Sequence, residues 1–196
     1  MQRIVCFTKW LQLLVLLPLP AMGQAQLTFA TNNGAITITG YTGNPTDLNI
    51  PSTTNGYPVT SIGDNAFSYC NSLTNVTIPD SVTTIDFDAF TGCLGLASVS
   101  ILGSVTTIDL EAFSYCSGLT NLNLDGGVIY LGGDAFEYCS SLTSVTIPDS
   151  VTSFGSSAFT YCTSLTNVNV GSGVTNIALD AFAGCTSLPA ISRIAV

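Results

Sequence analysis

Histidine is absent from this chain, and basic residues are nearly so: Arg3, Lys9 and Arg193 are the complete set. A catalytic thiolate or hydroxyl needs a base or a positive neighbour to activate it. Arg193 is the only such charge beyond Lys9. The same lack makes nucleic acid and anionic lipid poor partners, because phosphate binding draws on lysine and arginine. Charged residues of both signs make up only 8% of the chain, against 46% hydrophobic residues, which excludes a disordered polyampholyte. After Ala25 no apolar run is long enough to cross a bilayer.

The segment from Met1 to Ala25 has a composition of its own. Arg3 and Lys9 precede an apolar run from Trp10 to Leu19, broken only by Gln12 and Pro18. The small residues Ala21, Gly23 and Ala25 follow. This is the layout of a secretory signal peptide cut after Gly23 or Ala25, with a retained N-terminal anchor as the alternative. No cysteine directly follows the apolar run, so a lipoprotein signal is not evident. All twelve acidic residues lie beyond it, from Asp47 to Asp180, so the remainder carries −12 + 1 = −11. The expected location is extracytoplasmic, at the cell surface or secreted, with no membrane span after cleavage.

One period organises the rest. Phe67, Phe90, Phe113, Phe136, Phe159 and Phe182 recur at a constant step of 23, and so do Leu73, Leu96, Leu119, Leu142, Leu165 and Leu188. Every phenylalanine of the series follows an alanine. A fixed period of this size, held without insertion, predicts a repeat solenoid whose coils share one core. Within a coil, Leu73, Val76 and Ile78 alternate with Asn75 and Thr77, which is strand periodicity. Pro79-Asp80-Ser81 ends the strand, and Val82 and Ile85 turn back into the core. Equivalent strands of stacked coils should form a parallel ladder about 4.8 Å apart.

Asn65, Asp88, Glu111, Asp134, Ser157 and Asp180 precede the Ala-Phe steps, and five of these six are preferred N-caps. A short helical turn is therefore expected at each Ala-Phe-x-x-Cys segment, with the acids suited to its positive end. A calcium-binding acidic ladder is the competing reading, but capping also accounts for Asn65 and Ser157. The expected organisation is a signal peptide over 1–25, an N-terminal cap hairpin and partial repeat over 26–61, and six leucine-rich-type repeats of the constant period over 62–196. The hairpin is centred on Asn32-Asn33-Gly34 and should cover the first coil's open edge. At the other end Arg193 occupies a position where isoleucine or valine belongs, so the last coil should close imperfectly. Such an edge invites self-association.

Beyond Cys6, cysteine occurs at one repeat position only: Cys70, Cys93, Cys116, Cys139, Cys162 and Cys185. In adjacent coils these would sit roughly 5 Å apart with their Cβ atoms parallel, whereas a disulfide prefers Cβ atoms nearer to about 3.8 Å. An exported protein favours oxidation, yet each cysteine lies one turn beyond the core phenylalanine and faces inward. We read a reduced, buried ladder of small hydrophobes. A linear ladder does not converge on a zinc ion. No metal or cofactor is called for.

The unit DAFxxCxxLxxVxIPxxVTxI resembles the leucine-rich repeats of BspA-like surface proteins over residues 62–191, and DAFEYCSSLTSVTIPDSVTSF (Asp134 to Phe154) is nearly a consensus copy. The commoner leucine-rich pattern carries Asn or Cys where this chain has Ser81 or Ser150, and the turn proline is replaced by Leu102, Asp125 and Gly171. The resemblance implies a curved leucine-rich-repeat solenoid with a parallel β-ladder on its concave face. It also implies export or surface display, and for some relatives adhesion to host or matrix proteins.

A non-enzymatic binding or adhesion module would use the outward residues of that face: Asn75, Thr77, Ser98, Ser100, Asn121, Asn123, Ser144, Thr146, Asn167 and Asn169. They are short, neutral hydrogen-bonding groups, suited to a carbohydrate or a peptide backbone; as plain solvated strand residues they would serve equally well. Tyr69, Tyr115, Tyr138 and Tyr161 form a row before the cysteines, as a sticky ridge or as partial cover for the core. A polysaccharide-cleaving solenoid would need convergent carboxylates, for which Asp86 with Asp88 or Asp109 with Glu111 are the candidates. Those positions are largely explained by turns and caps. A self-assembling surface protein would use the C-terminal edge. Thr83, Thr106, Thr152 and Thr175, interrupted by Ile129, are weakly reminiscent of ice-binding solenoids.

Overall fold

The computed structural model describes residues 26–125, 127–178 and 180–189. The expected signal peptide and Arg193 lie outside these residues. Strands β1 (Gln26–Asn32) and β2 (Ala35–Thr42) form an antiparallel hairpin. Its turn residues Asn33 and Gly34 both have positive φ, at 50° and 80°, as the tightest hairpin turns require. Then come β3 (Asp47–Asn49), β4 (Thr53–Thr54) and β5 (Tyr57–Ile62). Each later coil contributes a four-residue strand and then, in most, a two-residue strand: β6 (Asn75–Ile78), β7 (Thr84–Ile85), β8 (Ser98–Ile101), β9 (Thr107–Ile108), β10 (Asn121–Leu124), β11 (Tyr130–Leu131), β12 (Ser144–Ile147), β13 (Ser153–Phe154) and β14 (Asn167–Val170).

The result is a parallel β-solenoid. The short strands continue from the hairpin as one sheet, in the order β1-β2-β5-β7-β9-β11-β13, with β4 paired to β5. The longer strands line another side, in the order β3-β6-β8-β10 and, separately, β12-β14. Register follows the sequence period: Asn75 faces Ser98, which faces Asn121, and Thr84 faces Thr107, which faces Tyr130.

Inside, like stacks on like. Phe67, Phe90, Phe113, Phe136, Phe159 and Phe182 form a column with ring centroids 4.9–5.4 Å apart and ring planes within 10° of parallel. Tyr41 from β2 caps the column on Phe67 at 5.5 Å. Columns of Leu, Val, Ile, Ala and Cys surround it, all buried through the central coils. Burying each of the larger side chains contributes about 1.5–3 kcal/mol, and almost all of it depends on the adjacent coil being present.

The third side corrects an expectation. The Ala-Phe-x-x-Cys segments are not helical, and no helix occurs among the described residues. Alternate amides bond within the coil and across it. Ala66, Ser68 and Cys70 donate to the carbonyls of Gly63, Asn65 and Phe67, while Asn65, Phe67 and Tyr69 donate to those of Phe87, Ala89 and Thr91 in the next coil. A helix would turn every amide back along its own axis. Here left-handed residues aim every second amide sideways instead. Asn65, Asp88, Glu111, Asp134, Ser157 and Asp180 have φ of 57°, 56°, 57°, 53°, 60° and 62°. They are turn residues in the left-handed region, which asparagine and aspartate tolerate best, and not N-caps.

Candidate binding surface

Strand alternation decides what faces outward on β6, β8, β10, β12 and β14. In each, the second and fourth residues turn toward the core and the first and third away from it. Asn75, Thr77, Asn121, Asn123, Ser144, Thr146, Asn167 and Asn169 are exposed, and Ser98 and Ser100 are half-buried. Ladder pairing sets Asn75, Ser98 and Asn121 in one row and Thr77, Ser100 and Asn123 in the next. Ser144 with Asn167 and Thr146 with Asn169 repeat the arrangement beyond β10. Asn75 donates to Asp47 Oδ1 at 2.6 Å and to Thr74 Oγ1 at 3.1 Å. The other nine side chains have no hydrogen-bond partner among the described residues. The adjoining threonines differ: Thr74, Thr120 and Thr166 spend their hydroxyls on carbonyls of the preceding coil at 2.8–3.1 Å.

The face is interrupted between β10 and β12. Elsewhere the coils bond through the start of the strand: Thr74 O accepts from the Ala97 and Ser98 amides, and Ala97 O from those of Thr120 and Asn121. Among the described residues Thr120 O accepts nothing equivalent from Thr143 or Ser144, and the two strands belong to separate sheets. A depression of about 360 Å³ opens there, lined by Thr120, Asn121, Leu122, Asn123, Leu124, Ser144 and Thr146. Leucine is the local departure from the pattern. Core positions that hold Val76 and Ile78, Val99 and Ile101, or Val145 and Ile147 hold Leu122 and Leu124 here. Leucine branches one carbon later than valine or isoleucine and fits a pleated ladder less well. Leu122 and Leu124 stay 9% and 7% exposed, where those counterparts are at 2% or less.

The other candidates are defined by what they touch. Tyr115, Tyr138 and Tyr161 stack with centroids 4.7 Å apart. Tyr69 lies over Gly92 and Tyr161 over Gly184, so that a Cβ at either glycine would strike the tyrosine ring. All six positions of this row have positive φ, from 56° at Tyr138 to 72° at Gly184. The row is thus a stacked cover on the turn side, away from the longer strands. Thr83, Thr106 and Thr175 donate their hydroxyls to Thr60, Thr83 and Thr152 carbonyls at 3.1–3.3 Å, which ties coils together and withdraws these groups from any outside ligand.

Among the carboxylates, Asp86 accepts from Ser61 at 2.7 Å and Asp109 from the Leu110 amide at 2.7 Å, both local structural duties. Burial, and then the charge of Glu111, raises the Asp88 carboxyl above its ordinary range. Thr91 offsets part of this by hydrogen-bonding the carboxyl, while its buried Oδ1 has no hydrogen-bond partner among the described residues. Burial followed by Asp134 and Glu111 likewise raises Glu137. The six repeat cysteines are buried thiols outside any disulfide. Each thiol from Cys93 onward donates to the phenylalanine carbonyl of the coil before it: Cys93 to Phe67, Cys116 to Phe90, Cys139 to Phe113, Cys162 to Phe136 and Cys185 to Phe159, at 3.0–3.4 Å. Burial pushes the Cys139 thiol far above its usual value. The Cys185 side chain and burial do so for Cys162.

Strand periodicity identifies four of the residues around the depression, Asn121, Asn123, Ser144 and Thr146, without grouping them. It misses Thr120, Leu122 and Leu124. The available signal is the Leu-x-Leu of β10 in place of Val-x-Ile.

The family described as BspA type leucine rich repeat region matches residues 44–192 in 6 copies. A comparison with curated proteins finds no match. Among solved structures, a leucine-rich repeat protein of Bacteroides ovatus superposes with a TM-score of 0.75 at 32% identity, over 86% of this chain and 45% of that one. A leucine rich cell surface protein of Faecalibacterium prausnitzii gives 0.70 at 38% identity, over 84% of this chain and 47% of that one. The leucine rich repeat protein of T. pallidum gives 0.71 at 26% identity, over 86% and 89%. The chain therefore spans about half the length of the Bacteroides and Faecalibacterium proteins.

Proposed function

The chain belongs to the BspA-type leucine-rich repeat family, and on that premise we propose that it is a non-enzymatic, extracytoplasmic binding module. It engages protein or glycan ligands through the outward face of β6, β8, β10, β12 and β14. The observation that carries this reading is the set of nine short neutral side chains on that face, in register within each sheet and without hydrogen-bond partners among the described residues. Hydrogen-bonding groups that are solvated and unspent are available to a ligand at little cost in internal structure. The threonine row of the short strands is committed to bonding the neighbouring coils, and Tyr115, Tyr138 and Tyr161 of the tyrosine row stack on one another on the turn side. A non-enzymatic role agrees with the lack of histidine, lysine and arginine among the described residues. Surface display agrees with the leader-like segment from Met1 to Ala25 and with a relative described as a cell surface protein.

The test is an array of glycans and matrix proteins probed with the purified chain. Binding is expected, and the double substitution Asn121→Asp with Asn167→Asp should abolish it. Retention of full binding by that variant would remove the outward face from consideration.

A further inference from the structure

The split between β10 and β12 is narrow and closed at both sides. Beyond the ends of these strands the same two coils remain at ordinary spacing. Tyr130 and Leu131 of β11 pair with Ser153 and Phe154 of β13. Phe113 stacks on Phe136 at 5.3 Å, and Phe113 N donates to Ala135 O at 2.8 Å. A whole extended peptide needs a further step of about 4.8 Å between its neighbours on either side. The flanking contacts forbid that step, so strand insertion is not what the opening accommodates.

What lines the opening is more selective. Its polar groups are the Asn121, Asn123, Ser144 and Thr146 side chains, with peptide groups of the facing strand edges that include the Thr120 carbonyl, which among the described residues accepts no amide from Thr143 or Ser144. Its apolar part is Leu122 and Leu124. No charged side chain is among the lining residues. Peptide edges present donors and acceptors together, and a hydroxyl is the group that can serve as both. The volume, about 360 Å³, sits at the low end for small-ligand sites, which run from about 300 to 1,000 Å³.

We propose that the β10–β12 split is a carbohydrate subsite, in which Asn121, Asn123, Ser144 and Thr146 and the peptide groups of the facing strand edges hydrogen-bond the hydroxyls of a neutral sugar over Leu122 and Leu124. This rests on the reading that the outward face binds ligand, and narrows it to one place and one chemistry. β10 carries leucine where its neighbours carry valine and isoleucine, yet its other edge pairs with β8 over all four residues, so the site belongs to the β10–β12 junction and not to the repeat as such.

The experiment is an amide NMR titration of the full chain with glucose, galactose, mannose and N-acetylglucosamine, beside the array already described. Shifts are expected at Asn121–Leu124 and Ser144–Thr146, and not at Ser98–Ile101 or Asn167–Val170. The double substitution Leu122→Val with Leu124→Ile restores the repeat pattern, should close the split, and should remove the shifts. Asn123→Asp, at an exposed position, is the second variant should the first not fold; it should weaken sugar binding at least about tenfold by placing a charge against neutral hydroxyls. Sugar shifts spread evenly over β6, β8 and β14 would overturn the subsite and leave the binding face standing. Array binding confined to matrix proteins would do the same. Sugar binding unchanged in both variants would also overturn it, and an array without any binding would take the binding face down as well.

Discussion

The two long sides of the solenoid are built on one repeat yet behave differently. The sheet of short strands runs unbroken from β1 to β13, although most of its members contribute only two residues. The sheet of four-residue strands, with twice the hydrogen-bonding length, divides between β10 and β12. Ladder length therefore does not hold the stack together. Across the divided junction the coils are kept in place by the Phe113–Phe136 contact at 5.3 Å, the Tyr115–Tyr138 contact at 4.7 Å and the Cys139 thiol on the Phe113 carbonyl at 3.4 Å. The aromatic and thiol column is the continuous element, and a strand junction can open without breaking it.

Removing that column is the strongest way to test the comparison. Phe90 and Phe113 are both fully buried, but Phe90 lies at a junction whose strands are paired and Phe113 at the one where they are not. Phe90→Ala should cost about 3–5 kcal/mol in urea unfolding. Phe113→Ala should cost more, by about 1 kcal/mol, because the four-residue strands at its junction add no ladder bonds to those of β11 with β13. Equal losses would mean that the split junction is not mechanically distinct.

The thiols give the next effect. Burial holds Cys139 as a neutral thiol, and the Cys185 side chain and burial hold Cys162, well above the ordinary range, while in the unfolded chain both ionise near about pH 8.5. The folded state thus retains protons that the unfolded state gives up. Stability should be unaffected below about pH 8 and fall steadily from about pH 9 upward. A thiol reagent at about pH 8 should leave all six buried cysteines unmodified until denaturant is added. Rapid labelling of native protein would show that the column opens readily.

Hydrogen exchange sharpens the contrast residue by residue. The Thr120 and Asn121 amides donate to Ala97 O, whereas those of Thr143 and Ser144 meet no equivalent carbonyl among the described residues. The latter pair should exchange about tenfold faster or more. This difference is only partly legible in the sequence. Periodicity reveals the coils, their register and the inward column, because a buried position tolerates few residue types and repeats them. Asn121 and Asn123 are legible as outward for the same reason. The opening beside them lies on one edge of β10 only, since the other pairs with β8 in full register, and no period reports that. The turn side misleads on different grounds. Asparagine and aspartate suit an N-cap and the left-handed region equally, so Asn65, Asp88 and Asp134 fit both readings. The deciding clue is Gly92 and Gly184 in the tyrosine row, where positive φ of 68° and 72° makes glycine a natural occupant.

The smallest expected effect comes from the acids of that turn side. Burial and neighbouring carboxylates raise Asp88 and Glu137 above their unfolded values, and the described residues offer no basic group to offset them. A carboxyl that binds its proton more tightly when folded favours the folded state at low pH. Its contribution is fully present below the unfolded value, about 4, and is lost as pH rises through the folded value. Stability should accordingly increase on going from about pH 7 towards about pH 4.5, opposite to the usual behaviour of salt-bridged carboxylates. Asp88→Asn and Glu137→Gln should each raise the thermal midpoint slightly at about pH 7, through a few tenths of a kcal/mol for such partly solvated groups. Neither substitution should matter at about pH 4. The gains should add only approximately, since Asp88 and Glu137 lie two coils apart but both face Glu111. A loss of stability from Asp88→Asn at neutral pH would mean that its carboxylate is held in place by a favourable charge, and that the turn side is not the repulsive edge described.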